Sequence, residues 1–266
     1  MTTVHTLASG SSGNALLLSS DGTHLLMDAG ISCRRITAAL GQLGLTLEDL
    51  DAVFITHTHT DHIAGLRTML RRSAFPLLAT QRTCRELEYR LEAAADRLEP
   101  VALSRPVTVG ECTVTAFSTS HDAPGCCGYR IDTVDGSVGL LTDTGYVTEE
   151  AAEILPGADL VVLEANHDPD TLCSGPYPAS LKRRILGDAG HLSNGEAARF
   201  AVALADSGAS EIVLAHLSRE NNTPAMALRA VETALSAAEL APRLSVAPRD
   251  SLSAPLTVCR RASCSG

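Results

Sequence analysis

Short apolar runs alternate along the chain with segments whose apolar positions recur at helical spacing. Residues 3–8, 14–19 and 23–28 read as strands, separated by the turn-forming Ser9-Gly10-Ser11-Ser12-Gly13 and Asp21-Gly22. A helical period over 32–43 is followed by a strand at 51–56, a helix at 62–72, a strand at 76–79 and a helix at 81–95. The second half repeats this style, with strands near 107–109, 111–118, 127–134 and 137–142, then a helix near 148–154. A strand at 158–164, helices near 179–187 and 194–206, a strand at 211–215 and a helix at 224–238 complete the pattern. Two strand-rich blocks with helices outside them predict an α/β fold, a four-layer αββα sandwich. No interior linker, repeat or low-complexity tract interrupts residues 1–240, which are expected to form one domain. Residues 241–266, with Pro242, Pro248 and Pro255 among many serines, are expected to form a C-terminal extension that frays beyond Val258-Cys259.

Composition adds constraints. With 266 residues and 45% hydrophobic content, the chain can bury a large core. Its apolar runs fall far short of the ~18 residues a membrane helix needs, and Met1-Thr2-Thr3-Val4-His5 does not resemble the start of a signal peptide. Eight cysteines include no C-x-x-C pair, and the adjacent Cys126-Cys127 are geometrically awkward as a mutual disulfide. Reduced thiols in a cytoplasmic protein are therefore expected.

A net charge of −10 weighs against nucleic-acid binding. The distribution of basic residues weakens that objection: Arg67, Arg71 and Arg72 recur at helical spacing, Arg82 and Arg85 follow, and Lys182-Arg183-Arg184 are contiguous. A local basic surface can hold a phosphate backbone while the rest of a protein stays acidic, and bound divalent ions would offset part of the acidic charge.

The candidate chemistry concentrates in Thr56-His57-Thr58-His59-Thr60-Asp61-His62, directly after the apolar Val53-Phe54-Ile55. Four of these seven residues, His57, His59, Asp61 and His62, carry imidazole or carboxylate, the ligands that borderline divalent ions prefer. Placed between a strand end and a helix start, they can be aimed at one point by a fixed backbone. Asp61 and His62 are adjacent and do not readily share the direction of His57, which suggests a second metal beside the first. The Ser9–Asn14 loop is small and glycine-rich, so Ser11, Ser12 and Asn14 are candidates for an anion-binding nest.

The H-x-H-x-D-H segment resembles the signature of metallo-β-lactamase-fold hydrolases. A narrower resemblance, to the YycJ/WalJ-type branch of bacterial DNA exonuclease-like proteins, covers most of residues 3–225. It rests on Ser9-Gly10-Ser11-Ser12-Gly13-Asn14, Glu164-Ala165-Asn166-His167-Asp168, Tyr177-Pro178, Leu181-Lys182-Arg183-Arg184-Ile185, Gly190-His191-Leu192-Ser193-Asn194 and His216-Leu217-Ser218-Arg219-Glu220-Asn221-Asn222. The chain departs from that branch at Gly125-Cys126-Cys127-Gly128, where a proline-containing turn is usual.

The resemblance implies a four-layer metallo-β-lactamase sandwich without a large inserted cap domain. It implies two divalent ions, zinc or manganese, one held by His57, His59 and His121, the other by Asp61, His62 and His216, with Asp143 between them. Asp28 would orient a ligating histidine. Asp61, His191 and Glu164 are expected to serve catalysis, His191 and Glu164 at the leaving oxygen, although His191 could instead cap the helix starting near Ser193. Lys182, Arg183 and Arg184 would contact substrate, and His167 and Asp168 have no assigned role. The implied activity is dinuclear-metal hydrolysis of DNA from a 5′ end, with water made nucleophilic by the ions. DNA is the expected partner, no membrane is expected, and oligomeric state is left open. A small-molecule ester, lactone or cyclic phosphodiester hydrolase is the alternative enzyme, and a non-catalytic metal-binding regulator the alternative of another class.

Overall fold

The computed structural model of the protein describes residues 1–260. The first half contains β1 (Thr3–Ala8), β2 (Ala15–Ser20), β3 (Thr23–Met27), α1 (Cys33–Gln42), β4 (Ala52–Phe54), α2 (Thr60–Ile63), α3 (Leu66–Met69), β5 (Leu77–Thr80), α4 (Gln81–Arg90) and β6 (Leu98–Val101). The second contains β7 (Pro106–Val109), β8 (Cys112–Ser118), β9 (Cys127–Asp132), β10 (Ser137–Leu141), α5 (Glu149–Ile154), β11 (Leu160–Glu164), α6 (Pro169–Ser174) and α7 (Ala179–Leu186). It continues with α8 (Asn194–Asp206), β12 (Glu211–Ala215), α9 (Pro224–Ala237), β13 (Arg243–Val246) and β14 (Leu256–Thr257).

The strands form two seven-stranded sheets, ordered β14-β1-β2-β3-β4-β5-β6 and β13-β12-β11-β10-β9-β8-β7. Strand parity explains the layers. Leu16, Leu18, Leu25, Met27 and Phe54 point between the sheets, where they meet Val114, Tyr129, Ile131, Leu140 and Val162. Their alternating neighbours Leu17, Leu26 and Val53 point outward to Ile36, Leu40, Met69 and Leu87 of the first helical layer. In the second sheet Val161, Leu163, Ile212 and Leu214 face outward onto Ala197, Ala201 and Leu204 of α8 and Val231 of α9. Strands covered on both faces read as unbroken apolar runs, and so these central strands were the legible ones.

In each sheet an antiparallel block passes into parallel strands, β3 to β6 in the first and β10 to β13 in the second. The carboxyl ends of β3, β4, β10, β11 and β12 open onto one region of the molecule, the usual location of sites in α/β sheets. Three residues just past those ends, Asp28, Asp143 and His216, have positive φ of 61°, 57° and 55°. Left-handed backbone at non-glycine residues is costly and gathers at functional sites.

Several elements differ from expectation. The helix expected over 62–72 is two short helices, α2 and α3. Gly65 lies between them, its N–H donating to the Ala29 carbonyl at 2.8 Å, and a Cβ there would stand 2.3 Å from the Ile31 carbonyl oxygen. The helix expected to reach residue 95 stops at Arg90 because Leu91 leaves the helical region (φ −135°, ψ 87°), and a 3-10 turn follows over Glu92–Arg97. β6 has no apolar run to mark it, because Glu99 and Pro100 are exposed on an edge strand, the setting that tolerates proline. The short α6 begins with Asp168 capping the Thr171 N–H and a proline at its start, a signal present in Asp168-Pro169.

Residues 241–260 carry two further strands. β13 adds in parallel to β12, and β14 adds antiparallel to β1, each closing an edge of one sheet. Their polar, proline-flanked sequences conceal this. The fraying expected past Val258-Cys259 falls on 261–266, outside the described residues. Among the described residues no helix is long and apolar enough to cross a membrane.

Candidate metal centre

The 56–62 loop is aimed from behind by Asp28. Its carboxylate accepts from the Thr56 backbone N–H at 2.9 Å and from the Thr56 hydroxyl at 2.9 Å, and it lies 2.8 Å from His62 Nδ1. From the other side the Asn14 backbone N–H donates to the Asp61 carbonyl at 2.8 Å. Gly30 permits this approach, since a Cβ there would stand 1.7 Å from the Asp61 carbonyl oxygen.

Four imidazoles share one arrangement: each rests its Nδ1 against an oxygen of the scaffold. His57 uses the Thr56 hydroxyl (3.0 Å), His62 uses Asp28 (2.8 Å), His121 the Gly190 carbonyl (3.0 Å) and His216 Glu164 (2.9 Å). Nε2 is thereby left as the inward atom, the orientation a backing oxygen gives to a metal-binding imidazole. His59 is reversed, with Nδ1 3.2 Å from His121 Nε2 and Nε2 3.5 Å from Asp122.

Two triads result. His57, His59 and His121 bring one ligand atom each within 4.8 Å of one another, and so do Asp61, His62 and His216. Asp143 lies between them. Its Oδ2 is 3.2 Å from His62 Nε2, and its Oδ1 is 3.6 Å from His216 Nε2 and 3.7 Å from His121 Nε2. His57 Nε2 and Asp143 Oδ2 are buried and make no hydrogen bond. Buried polar atoms are normally satisfied, so two orphans facing one another's cluster fit a cation seated there. The donor set, imidazole nitrogen and carboxylate oxygen, suits a borderline divalent ion.

Charge agrees. Asp28, Asp143 and Glu164 are buried carboxylates, an arrangement that is costly without nearby cations. Burial alone would raise the Asp143 carboxyl, yet His216 and His62 hold it well below the usual carboxylate range. Burial would lower His62, but Asp143 and Asp28 hold it well above the ordinary imidazole value. His216 is likewise opposed by burial and is raised to about 10 by Asp143, Asp61 and Glu164. His57, dominated by burial and by the neighbouring His62, is pushed down. The buried carboxylates thus draw positive charge into the cluster, a demand that divalent ions held by these ligands would meet.

Beyond the triads, Glu164 is fully buried and acts as a fourfold acceptor. Oε1 faces His191 Nδ1 at 2.8 Å and His216 Nδ1 at 2.9 Å, while Oε2 accepts from the N–H groups of Thr144 (3.0 Å) and Leu192 (3.1 Å). Despite burial, the His191 imidazole and these hydrogen bonds hold Glu164 down to about 2. With 0% exposure it orients both histidines and cannot itself touch substrate. His191, whose side chain is 20% exposed, reaches the cleft. It does not cap α8: Ser193 does, accepting from the Glu196 N–H in a capping box.

The expected substrate contacts divide. Ser11 and Ser12 are exposed, and Ser11 lines the cleft beside His191. Asn14 is turned inward, exchanging hydrogen bonds with Gly10 and lying 3.1 Å from His62 Nε2, so it shapes the loop instead of meeting a ligand. Lys182 donates to the carbonyls of Cys173 and Gly175 at 2.7 Å each, which ties α7 to the end of α6. Arg183 is exposed, and Arg184 sits at the cleft with its Nε 2.5 Å from Asp122. Asp122 is a further residue of the site. It reaches His59, His121 and Arg184 together, and its only local signal is adjacency to His121. His167 is buried, its ring nitrogens without hydrogen bonds, and Asp168 is the α6 cap.

The family described as the beta-lactamase superfamily domain matches residues 23–217. The chain is 39% identical over 237 residues to the exodeoxyribonuclease WalJ of Streptococcus pneumoniae, covering 88% of each protein. It is 36% identical over 230 residues to the exodeoxyribonuclease YycJ of Bacillus anthracis, covering 86% of this chain and 87% of that one. The crystal structure of the metallo-β-lactamase-fold protein YhfI from Bacillus subtilis superposes with a TM-score of 0.71 at 21% identity, over 95% of this chain and 98% of the other, a likeness of fold.

Proposed function

This chain belongs to the beta-lactamase superfamily, in its metallo-β-lactamase-fold form, and on that premise we propose that it is a metal-dependent exodeoxyribonuclease. The observation that carries the reading is the convergence of two ligand triads on Asp143, at the shared carboxyl edge of both sheets. His57, His59 and His121 would hold one ion and Asp61, His62 and His216 the other, with Asp143 placed to contribute to both. Imidazoles favour zinc, whereas carboxylates and a phosphate substrate also suit manganese. Divalent ions there supply Lewis acidity, which makes water a nucleophile near neutral pH and offsets charge on the scissile phosphate. The protein's own part is to orient: Asp28 and Glu164 fix His62 and His216, and His191 stands at the open side, where it would serve as the proton donor to the leaving oxygen. Degradation from a 5′ end follows the resemblance noted above. A reducing compartment such as the cytoplasm suits the seven free cysteines among the described residues.

End-labelled single- and double-stranded DNA, assayed with zinc and with manganese beside lactone and p-nitrophenyl phosphodiester substrates, tests the proposal. Release of nucleotides from a labelled end supports it. Efficient turnover of a lactone or small ester with intact DNA would replace it with the small-molecule alternative.

Two further outcomes are expected. Asp28→Asn should cost roughly 10- to 100-fold in metal affinity, the usual effect of disturbing a partner behind a ligating histidine. Competition against a chromophoric chelator reads this, and unchanged affinity would make the Asp28–His62 contact incidental. Arg184→Ala should reduce the salt dependence of single-strand binding by a slope of about 0.7, one phosphate contact. Lys182→Ala should lower thermal stability and leave the slope alone, because its ammonium is already committed to two carbonyls. A slope change in the Lys182 variant and none in the Arg184 variant would reverse these assignments.

A further inference from the structure

A cleft of about 170 Å³ opens beside the metal centre, with His121 and His191 at its inner end. One wall is apolar. α7 has no buried residue, yet Leu181 and Ile185, one helical turn apart, line this cleft together with Tyr177. An amphipathic helix normally covers core with its apolar stripe; here the stripe faces a space. Ser11, Asn166 and Ser218 add polar groups to the same lining. Arg184 stands at the same cleft, its guanidinium fixed by Asp122, which also reaches His59.

We propose that this cleft is a subsite for a single unstacked nucleobase, that of the terminal nucleotide, bounded by Tyr177, Leu181 and Ile185, with Arg184 taking an adjoining phosphate. The inference rests on the nuclease reading and adds to it the form in which a DNA end is accepted. Size selects the occupant. Pockets for whole drug-sized ligands span about 300–1,000 Å³, whereas this cleft is on the scale of one flat ring. An aromatic side chain with two aliphatic neighbours offers a stacking face that every base can use, which suits an exonuclease indifferent to sequence. The polar lining groups and Arg184 then meet the sugar-phosphate side. A duplex end must release its terminal base before the cleft can hold it, the same requirement that governs enzymes acting on an extruded base.

The test compares single-stranded oligonucleotides whose terminal nucleotide carries a base with otherwise identical ones ending in an abasic residue. The wild-type protein, loaded with zinc or manganese, should prefer the base-bearing end by about 5- to 150-fold in kcat/KM, the range of one base–aromatic stack. Tyr177→Ala should bring that ratio towards one, chiefly through KM, and Tyr177→Phe should restore it. Blunt duplexes with A·T ends should be degraded faster than those with G·C ends. Equal rates on base-bearing and abasic ends overturn the subsite while leaving the nuclease reading intact. Should Tyr177→Ala fail to fold, the wild-type comparison still decides. If no DNA substrate is hydrolysed, the nuclease reading falls and the subsite falls with it.

Discussion

Replacing Asp143 should remove both divalent ions and abolish hydrolysis, whereas Asp61→Ala should leave about one ion per chain, as expected if one triad survives without its neighbour. The difference follows from position. Asp61 belongs to one triad, 3.4 Å from His216 Nε2, while Asp143 faces His62 and His216 with one triad and His121 with the other. Asp143→Asn is the cleaner variant. Residue 143 has φ of 57°, a conformation that asparagine tolerates better than alanine, so the backbone is kept while the charge is lost. The loss of turnover should exceed the ~10²–10³-fold that removal of one transition-state donor costs. Elemental analysis after dialysis against excess zinc or manganese measures the outcome. Two ions retained by the Asp143 variants, or at most one bound by the wild-type protein under metal-replete conditions, would overturn the shared-ligand assignment.

Much of this centre was legible because its residues occupy positions that sequence marks. Each follows an apolar run: Asp28 after β3, the H-x-H-x-D-H segment after β4, Asp143 after β10, and His216 after β12. Strands buried on both faces announce themselves, and whatever follows them emerges at one edge. What stayed hidden depends on contacts across large separations. Asp122 meets Arg184 over 62 positions, and nothing near either residue signals the pairing. Lys182 and Arg184 are two apart in one basic run, yet one is spent on the carbonyls closing α6 and the other faces the cleft. Asn14 looked like part of an anion nest, but its side chain closes the loop on itself through Gly10. The edge strands β6, β13 and β14 were unreadable because half-exposed strands with proline, arginine or serine lack the apolar run that betrays a central one.

His191→Ala should slow DNA hydrolysis by roughly 10²–10⁴-fold, the usual contribution of a general acid, while scarcely affecting a p-nitrophenyl phosphodiester. Cleavage of DNA expels an alkoxide that needs a proton; p-nitrophenolate does not. His191 is built to deliver one. Its Nδ1 rests 2.8 Å from Glu164, a buried carboxylate held well below its usual range, which fixes the orientation of the ring. The other ring edge is left towards the cleft that it lines. Glu164→Gln should behave differently, because Glu164 also backs His216. Its loss should fall on both substrates and include weaker metal binding of about 10- to 100-fold, as for other residues that orient a ligand. The pair of variants therefore separates proton delivery from positioning: only His191→Ala should show a penalty that grows with the basicity of the leaving group. Equal losses on both substrates would rule out the acid role in favour of a structural one, and loss of metal from the His191 variant would place His191 among the ligands, beside Asp143, Glu164 and His216 with which its ring already clusters.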